Sequence, residues 1–117
     1  MYIKDNVFAR ILSKDLPATI IYEDEYVLAF NDVNPAAPVH VLVIPKKEYI
    51  DYTDFILKAS GDEIKKYFAA IAHVATLVGL DQDGYRLITN KGAKSGQTVP
   101  HFHFHIVGGI LISKLVS

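Results

Sequence analysis

Three histidines alternate with apolar residues near the end of the chain. The segment Pro100–Gly109 reads PHFHFHIVGG, and His101, His103 and His105 within it account for three of the chain's five histidines. Strict alternation is the period of a strand rather than a helix, so these imidazoles are expected on one face and the intervening apolar side chains on the other. Neighbouring histidines would then lie roughly 7 Å apart, the rise of two strand residues.

A row of imidazoles supports two kinds of chemistry, unless it is simply the polar face of a strand. A neutral imidazole is a nucleophile toward phosphorus and, once charged, a proton donor, and crowding of like charges keeps at least one ring neutral near physiological pH. Histidines at alternate strand positions also chelate Zn²⁺, and three ligands with an open position make a catalytic site. No Asp or Glu between Thr98 and Ser117 could orient such ligands, although groups elsewhere could. The spacing leaves nucleophile and metal ligand both open.

A polar loop, Asn90–Val99, leads directly into the histidine segment. Its sequence is NKGAKSGQTV, and the two glycines allow the backbone to turn and to present N–H groups. Amide and hydroxyl side chains add neutral donors, and two lysines add positive charge. Many loops of this composition are solvated turns, but beside three histidines this one suits a phosphate or carboxylate group.

A second histidine lies on a predicted strand, Val39–Pro45. The sequence VHVLVIP places His40 on the same face as Leu42 and Ile44, opposite the valines. A lone histidine in an apolar strand is usually satisfied within the core. A position beside the histidine segment would make His40 part of the site.

The remaining elements must bring these segments together. A short helix is predicted over Asn6–Ser13 with Asp5 as its cap, and a long amphipathic helix over Gly61–Leu80. His73 falls on the polar face of the long helix and is excluded from the site. The segment Tyr49–Ser60 is ambiguous, with at most one helical turn expected.

Short strands are predicted on both sides of the long helix. Ile20–Glu23 and Tyr26–Phe30 form a hairpin, Tyr85–Thr89 is a further strand, and the apolar tail Ile110–Ser117 is either an extra strand or an interface segment. This order predicts an α+β fold with a largely antiparallel sheet and a helix on one face.

Composition limits the possible partners and compartments. The 117 residues suffice for one compact domain, expected over 1–117, and the net charge of −1 provides no general basic field for nucleic acid. The absence of Cys excludes disulfides and Cys-ligated zinc. No secretory signal and no apolar run of about 18 residues is present, so a cytoplasmic protein without a membrane partner is expected.

The segment Gly96–Gly109 resembles the histidine triad (HIT) nucleotide-binding proteins. Their signature, in which three histidines alternate with apolar residues and two apolar residues follow, is matched in full by His101–Val107. The resemblance extends to Phe30–Lys47, FNDVNPAAPVHVLVIPKK, and to the N-terminal stretch 6–24, so it covers all but the last eight residues.

This resemblance implies a HIT-like fold of about five antiparallel strands with one long and one short helix, in a homodimer. It implies a reaction at the α-phosphate of a purine nucleotide, with no metal and no cofactor. His103 would form a nucleotidyl-histidine, and His101 and His105 would orient it and bond the phosphate or leaving group. His40 would complete the polar network.

The resemblance also implies a set of nucleotide contacts. Asp32 would bond the ribose hydroxyls. The phosphate would be held by Asn90, Gly96, Gln97 and Thr98. The base would be enclosed by Val7, Phe8, Ile11, Phe30 and Val33.

Two departures from the family pattern bear on function. Asn6 and Ala9 stand where many bacterial relatives carry zinc-binding cysteines, so no structural zinc is expected. The tail lacks the Trp-Pro-Pro-Gly ending that the phosphoramidase branch often carries, although Gly108-Gly109 favours that branch. Thr98, where the phosphoramidase branch commonly has Ser, resembles the dinucleotide-hydrolysing branch as much as the phosphoramidase branch. The expected activity is hydrolysis of purine nucleoside 5′-phosphoramidates. The alternatives are hydrolysis of dinucleoside polyphosphates, or nucleotide binding by a scaffold dimer with little turnover.

Overall fold

The computed structural model describes residues 1–113, which form three helices and five strands. In chain order the elements are α1 Val7–Leu12, β1 Ile20–Glu23, β2 Val27–Asn31, β3 Val39–Pro45, α2 Tyr52–Lys58, α3 Gly61–Leu77, β4 Tyr85–Ile88 and β5 Phe104–Gly108. A 3₁₀ turn, Ala93–Ser95, interrupts the loop between β4 and β5. None of the helices in this part of the chain has the length and apolarity needed to span a bilayer.

The five strands form one antiparallel sheet in the order β1-β2-β3-β5-β4, which confirms the predicted α+β class. The central strand β3 has the predicted alternation. Val41 and Val43 join the core beneath α2 and α3, whereas Leu42 and Ile44 join a second apolar cluster beneath α1. Leu42 pairs with His105 across β3 and β5, so the α1 face of the sheet also carries the histidine.

The long helix α3 is confirmed, but it ends at Leu77 rather than Leu80. Ser60 caps its N-terminus through a hydrogen bond from the Glu63 N–H to the Ser60 Oγ, and Gly79 with φ +78° follows its C-terminus. His73 is exposed, as predicted, and its ring contacts only the edge of Tyr22 among the aromatic contacts of the described chain.

The ambiguous segment contains a full helix, α2. The Asp51 carboxylate accepts the N–H of Asp54, and the Asp54 carboxylate accepts the N–H of Ile50, so both sides of the helix start are satisfied. Phe55 on α2 is fully buried and stacks on Phe102 at 4.7 Å between ring centroids. Local capping and this long-range aromatic contact together stabilise the helix. The capping residues can be recognised in the sequence, whereas the contact with Phe102 cannot.

The short helix α1 is capped by Asn6 and not by Asp5, which corrects the sequence prediction. The Asn6 Oδ1 accepts the N–H of Ala9 at 2.9 Å, and its Nδ2 donates to the Ile3 carbonyl at 2.8 Å. Asn6 is 7% exposed, so both bonds form in a shielded position. Both residue types are good caps, and the packing of the N-terminal segment decides between them.

Replacing Asn6 with alanine is expected to lower the free energy of unfolding by about 1–2 kcal/mol, because a shielded cap and a second hydrogen bond are lost together. Asp5→Ala is the matched control and should change stability by less than about 0.5 kcal/mol. Urea unfolding of both variants measures the difference. Equal destabilisation by the two substitutions would contradict the assignment of the cap.

The strand β5 begins at Phe104, so His101–His103 precede it instead of forming its first residues. The alternation nevertheless persists through this segment, because Phe102 and Ile106 are buried in the core under α2 and α3. The Phe102 N–H donates to the Tyr49 carbonyl at 2.7 Å, which holds the segment against the entrance to α2.

The predicted tail lies partly outside the described residues, since 114–117 are not among them. Its described part, 110–113, forms no strand, so the extra strand is not found there. Arg86 donates from Nη2 to the Ile112 carbonyl at 3.3 Å, which ties this part of the tail to β4.

Candidate active site

A cavity of about 500 Å³ opens between α1, the ends of β2 and β5, and the loop before the histidine segment. Its wall includes every residue for which the resemblance implies a role in nucleotide binding: Val7, Phe8, Ile11, Phe30, Asp32, Val33, Asn90, Gly96, Gln97 and Thr98. His103 and His105 line it as well, whereas His101 and His40 do not. The sequence reasoning missed part of the wall, which is formed by Leu16, Pro17, Ala18, Asn31, Asn34, Leu42 and Val99.

His103 is held in one tautomer by the backbone. Its Nδ1 lies 2.7 Å from the His101 carbonyl oxygen, and because a carbonyl can only accept, the ring proton is on Nδ1. The lone pair is therefore on Nε2. Burial lowers the pKa of His103 below its usual 6.5, against an opposing effect of the bond to the His101 carbonyl. A neutral imidazole with a free Nε2 lone pair thus lines the cavity at neutral pH.

The tautomer of His40 is also set by the backbone. The Ala36 N–H, which can only donate, points at His40 Nδ1 at 2.9 Å, so the His40 proton is on Nε2. That Nε2 lies 2.8 Å from Nδ1 of His105, which must accept. The proton of His105 is therefore on its own Nε2, where it is available as a hydrogen-bond donor to a ligand.

His105 resists protonation. Burial, followed by the proximity of His103 and His40, lowers the pKa of His105 to about 4. An added proton on His105 Nδ1 would also break the hydrogen bond between the two rings, because that nitrogen already accepts from His40. His105 thus acts as a neutral donor at physiological pH.

His101 occupies a different position from the one expected. It is fully buried at 0% exposure, donates from Nε2 to the Pro45 carbonyl at 2.8 Å and accepts from the Tyr2 hydroxyl at Nδ1. Burial lowers its pKa to about 4. With both ring nitrogens engaged, its side chain cannot bond the phosphate or leaving group, which corrects that expectation. Its contribution is the backbone carbonyl that holds His103.

Asp32 lies beside the histidine pair at the mouth of the cavity. Its Oδ1 accepts the N–H of Asn34 at 2.8 Å, and its Oδ2 is 3.4 Å from His40 Nε2, beyond an ordinary hydrogen bond. The side chain is 19% exposed. One carboxylate oxygen is therefore accessible to a ligand that donates hydrogen bonds.

Asp32, His40 and His105 are also the described group that could hold a metal ion, with ligand atoms within 4.8 Å of one another. Their chemistry suits zinc, but two nitrogens on one tetrahedral zinc lie about 3.3 Å apart. The His40 and His105 nitrogens are 2.8 Å apart and share a proton. A metal would have to displace the hydrogen bond that sets both tautomers.

The polar loop supplies the other end of the cavity. Gly92 and Gly96 adopt φ angles of +86° and +88°, which a side chain would strain, and the 3₁₀ turn lies between them. Within residues 1–113, the side chains of Asn90 and Thr98 have no hydrogen-bond partner, so their polar atoms are free to meet a ligand. Phe8 and Phe30, packed edge to face, form an apolar part of the wall, and the Phe8 ring also lies edge to face with His103. The cavity thus suits a ligand that has both a flat apolar group and a group that accepts hydrogen bonds.

Comparison with known proteins identifies a family that matches most of the chain. The HIT domain family model matches residues 13–110. An uncharacterized HIT-like protein of Rickettsia prowazekii is 65% identical over 100% of this chain and 98% of its own length. A 14 kDa zinc-binding protein of Zea mays is 42% identical over 88% of this chain and 80% of its own.

Solved structures of similar fold cover nearly the whole length of this chain. A HIT family hydrolase from Clostridium thermocellum has a TM-score of 0.88 and 43% identity, covering 97% of this chain and 99% of that one. A histidine triad protein from Clostridium difficile has a TM-score of 0.87 and 41% identity, covering 97% and 98%.

Proposed function

The chain belongs to the HIT domain family, and from that membership we propose that it hydrolyses purine nucleoside 5′-phosphoramidates at the α-phosphate through His103. The observation that carries the proposal is the fixed tautomer of His103, which leaves a neutral Nε2 lone pair on a cavity with free polar side chains at one end. The hydrolase title of the Clostridium thermocellum structure supports the reaction class.

In the first step, His103 Nε2 attacks the α-phosphorus. A nitrogen–phosphorus bond to the histidine forms, and the bond from phosphorus to the amine breaks. The electron pair of that bond leaves with the amine, which takes a proton from solvent. The ring becomes positively charged and keeps its Nδ1 proton on the His101 carbonyl, which cannot remove it.

In the second step, water attacks phosphorus and His103 leaves with its electron pair. The oxygen of water remains on the nucleoside monophosphate, and the proton it loses returns to solvent in place of the one taken by the amine. The hydrogen bond from His40 Nε2 to His105 Nδ1 keeps Nε2–H of His105 as a donor to the phosphoryl group or the leaving atom throughout.

The other contacts follow the shape of the cavity. Asn90 and Thr98 would donate to the phosphate oxygens, and Asp32 would accept from the ribose hydroxyls through its accessible oxygen. Phe8 and Phe30 would contact the base. These assignments rest on position and on unused hydrogen-bonding capacity.

One observation favours a second candidate, hydrolysis of dinucleoside polyphosphates. A leaving amine needs a proton, and the lowered pKa of His105 makes this ring a hydrogen-bond donor rather than a charged acid at pH 7. A nucleotide leaving group departs as an anion and needs no proton. The same residues would then act on a phosphorus–oxygen bond.

Steady-state kinetics on matched substrates separates the two candidates. We expect kcat/KM for an adenosine 5′-phosphoramidate to exceed that for a diadenosine polyphosphate by about tenfold or more, equivalent to about 1.4 kcal/mol of transition-state discrimination. A preference for the dinucleotide would reverse the ranking. Tight binding without turnover of either would indicate a nucleotide-binding scaffold, and loss of turnover with a chelator, restored by zinc, would indicate a metal-dependent hydrolase.

A further inference from the structure

The side chain of Gln97 lines the cavity but has no N–H donor left for a ligand. Its Oε1 accepts the N–H of Gly92 at 2.8 Å, and its Nε2 donates to the carbonyls of Ile50 at 2.9 Å and Val99 at 3.1 Å. A carboxamide has two N–H donors, and both are used here. A phosphate needs donors, so this side chain would have to abandon the protein to bind one.

The neighbouring polar residues behave in the opposite way. Asn90 and Thr98 line the same cavity, and neither side chain is hydrogen-bonded to any other residue within 1–113. The loop Asn90–Val99 therefore contributes three amide or hydroxyl side chains to the cavity, and only that of Gln97 is hydrogen-bonded to the protein within the described residues.

The bonds of Gln97 close the loop at its base. The Gln97 N–H donates to the Gly92 carbonyl at 3.3 Å while its side chain accepts from the Gly92 N–H, so both peptide groups of Gly92 are fixed. The Nε2 bonds join this loop to Ile50, before α2, and to Val99, before the histidine segment. Thr98 lies between two residues that are held in this way.

We propose that Gln97 is a positioning residue, whose carboxamide closes the loop Asn90–Val99 and holds Thr98 in place for the phosphate without itself touching the phosphate. The inference rests on the proposed function for the identity of the ligand. The closure itself is a property of the free protein, because every bond that carries it is made between protein atoms.

Two variants dissect the three bonds. Gln97→Met keeps the size of the side chain and loses all three bonds. Gln97→Glu keeps an acceptor for Gly92 but loses both donors at neutral pH and places a carboxylate beside two carbonyls. Thr98→Val is the matched control, since it removes a free hydroxyl from the same loop without touching the closure.

Amide hydrogen exchange of the ligand-free protein tests the closure directly. The Gly92 amide should exchange about tenfold or more faster in Gln97→Met than in wild type, and should stay protected in Gln97→Glu and Thr98→Val. An unchanged Gly92 amide in Gln97→Met would overturn the proposal. This readout needs no substrate, so it stands or fails independently of the proposed activity.

Kinetics and binding test the consequence for the ligand. For Gln97→Met we expect KM for the phosphoramidate, and Kd for adenosine 5′-monophosphate, to rise about tenfold or more with a much smaller change in kcat. The ratio of kcat/KM for Gln97→Glu to wild type should rise as the pH falls from about 7 to about 5, because the protonated carboxyl regains a donor. The same ratio for Gln97→Met should stay flat. A Met variant that binds the monophosphate like wild type would overturn the positioning role. A third outcome separates the two proposals. If neither wild type nor any variant turns over substrate, but Kd for adenosine 5′-monophosphate changes as described, the proposed hydrolysis fails and the role of Gln97 stands.

Discussion

Replacing His103 with alanine is expected to reduce turnover of an adenosine 5′-phosphoramidate by about 10⁴-fold or more, because the reaction then lacks its nucleophile. The cavity, the neutral donor on His105 and the free side chains of Asn90 and Thr98 remain, so the monophosphate product should still bind. Mass spectrometry of the wild-type reaction, quenched in denaturant at alkaline pH to preserve the phosphorus–nitrogen bond, should detect a nucleotidyl adduct on the peptide that contains His103, and none in the variant.

His73→Ala is the matched control for this experiment. His73 is exposed on α3 and lies outside the cavity, so its loss should leave turnover within about twofold of wild type. His103→Ala should remain folded, since it loses one hydrogen bond and edge-on contacts with Phe8 and His105, at a cost of about 1–3 kcal/mol. Near-wild-type activity in a folded His103→Ala protein would refute the assignment of the nucleophile.

The faces of the site could be read from the sequence because alternation is a local property of the chain. The two-residue period places Phe102 and Ile106 in the core and His103 and His105 on the cavity, even though β5 begins only at Phe104. The same period separates His40 from the valines of β3. Residue type and period therefore sufficed for the sheet and for the face that carries His103 and His105. The other predicted residues of the cavity wall were implied by the resemblance to the HIT proteins.

The hydrogen-bonding state of those residues could not be read in the same way. His101 meets Tyr2, which is 99 positions away in the chain, and Gln97 meets Ile50, 47 positions away. The sequence identifies His101 and Gln97 as donors or acceptors near the site. It does not indicate that their hydrogen-bonding groups are already bonded to other parts of the protein. The cap of α1 is a smaller example, since Asp5 and Asn6 are both suitable and the contact with the Ile3 carbonyl distinguishes them.

The tautomers of the site depend on backbone groups that every residue possesses. The Ala36 N–H fixes His40, and the His101 carbonyl fixes His103, through peptide groups that carry no sequence signature. Only their placement in the folded chain makes them specific. The fold therefore determines that Nε2 carries a lone pair in His103 and a proton in His105, and so gives the two histidines different chemical roles.

Lowering the pH from about 6.5 to about 4 is expected to destabilise the protein strongly, and His101 should contribute on the order of 3 kcal/mol of that loss. The pKa of His101 is about 4 in the folded protein and near 6.5 in the unfolded chain, so the unfolded chain binds more protons between these values. The stabilisation is complete above about pH 6.5 and is lost as the pH falls toward 4. The lowered pKa values of His103 and His105 act in the same direction.

Urea unfolding at several pH values, compared between His101→Leu and wild type, isolates this contribution. The comparison is needed because the pKa values of Asp54 and Glu23 are lowered by Lys58 and Lys46, so their protonation in acid also reduces stability. His101→Leu should be less stable at pH 7, because it loses the bonds to Pro45 and Tyr2, but its stability should fall less steeply between about pH 6.5 and 4. His73→Ala should keep the wild-type slope. If the free energy of unfolding falls equally steeply with pH in His101→Leu and in wild type, the prediction that burial holds His101 neutral is wrong.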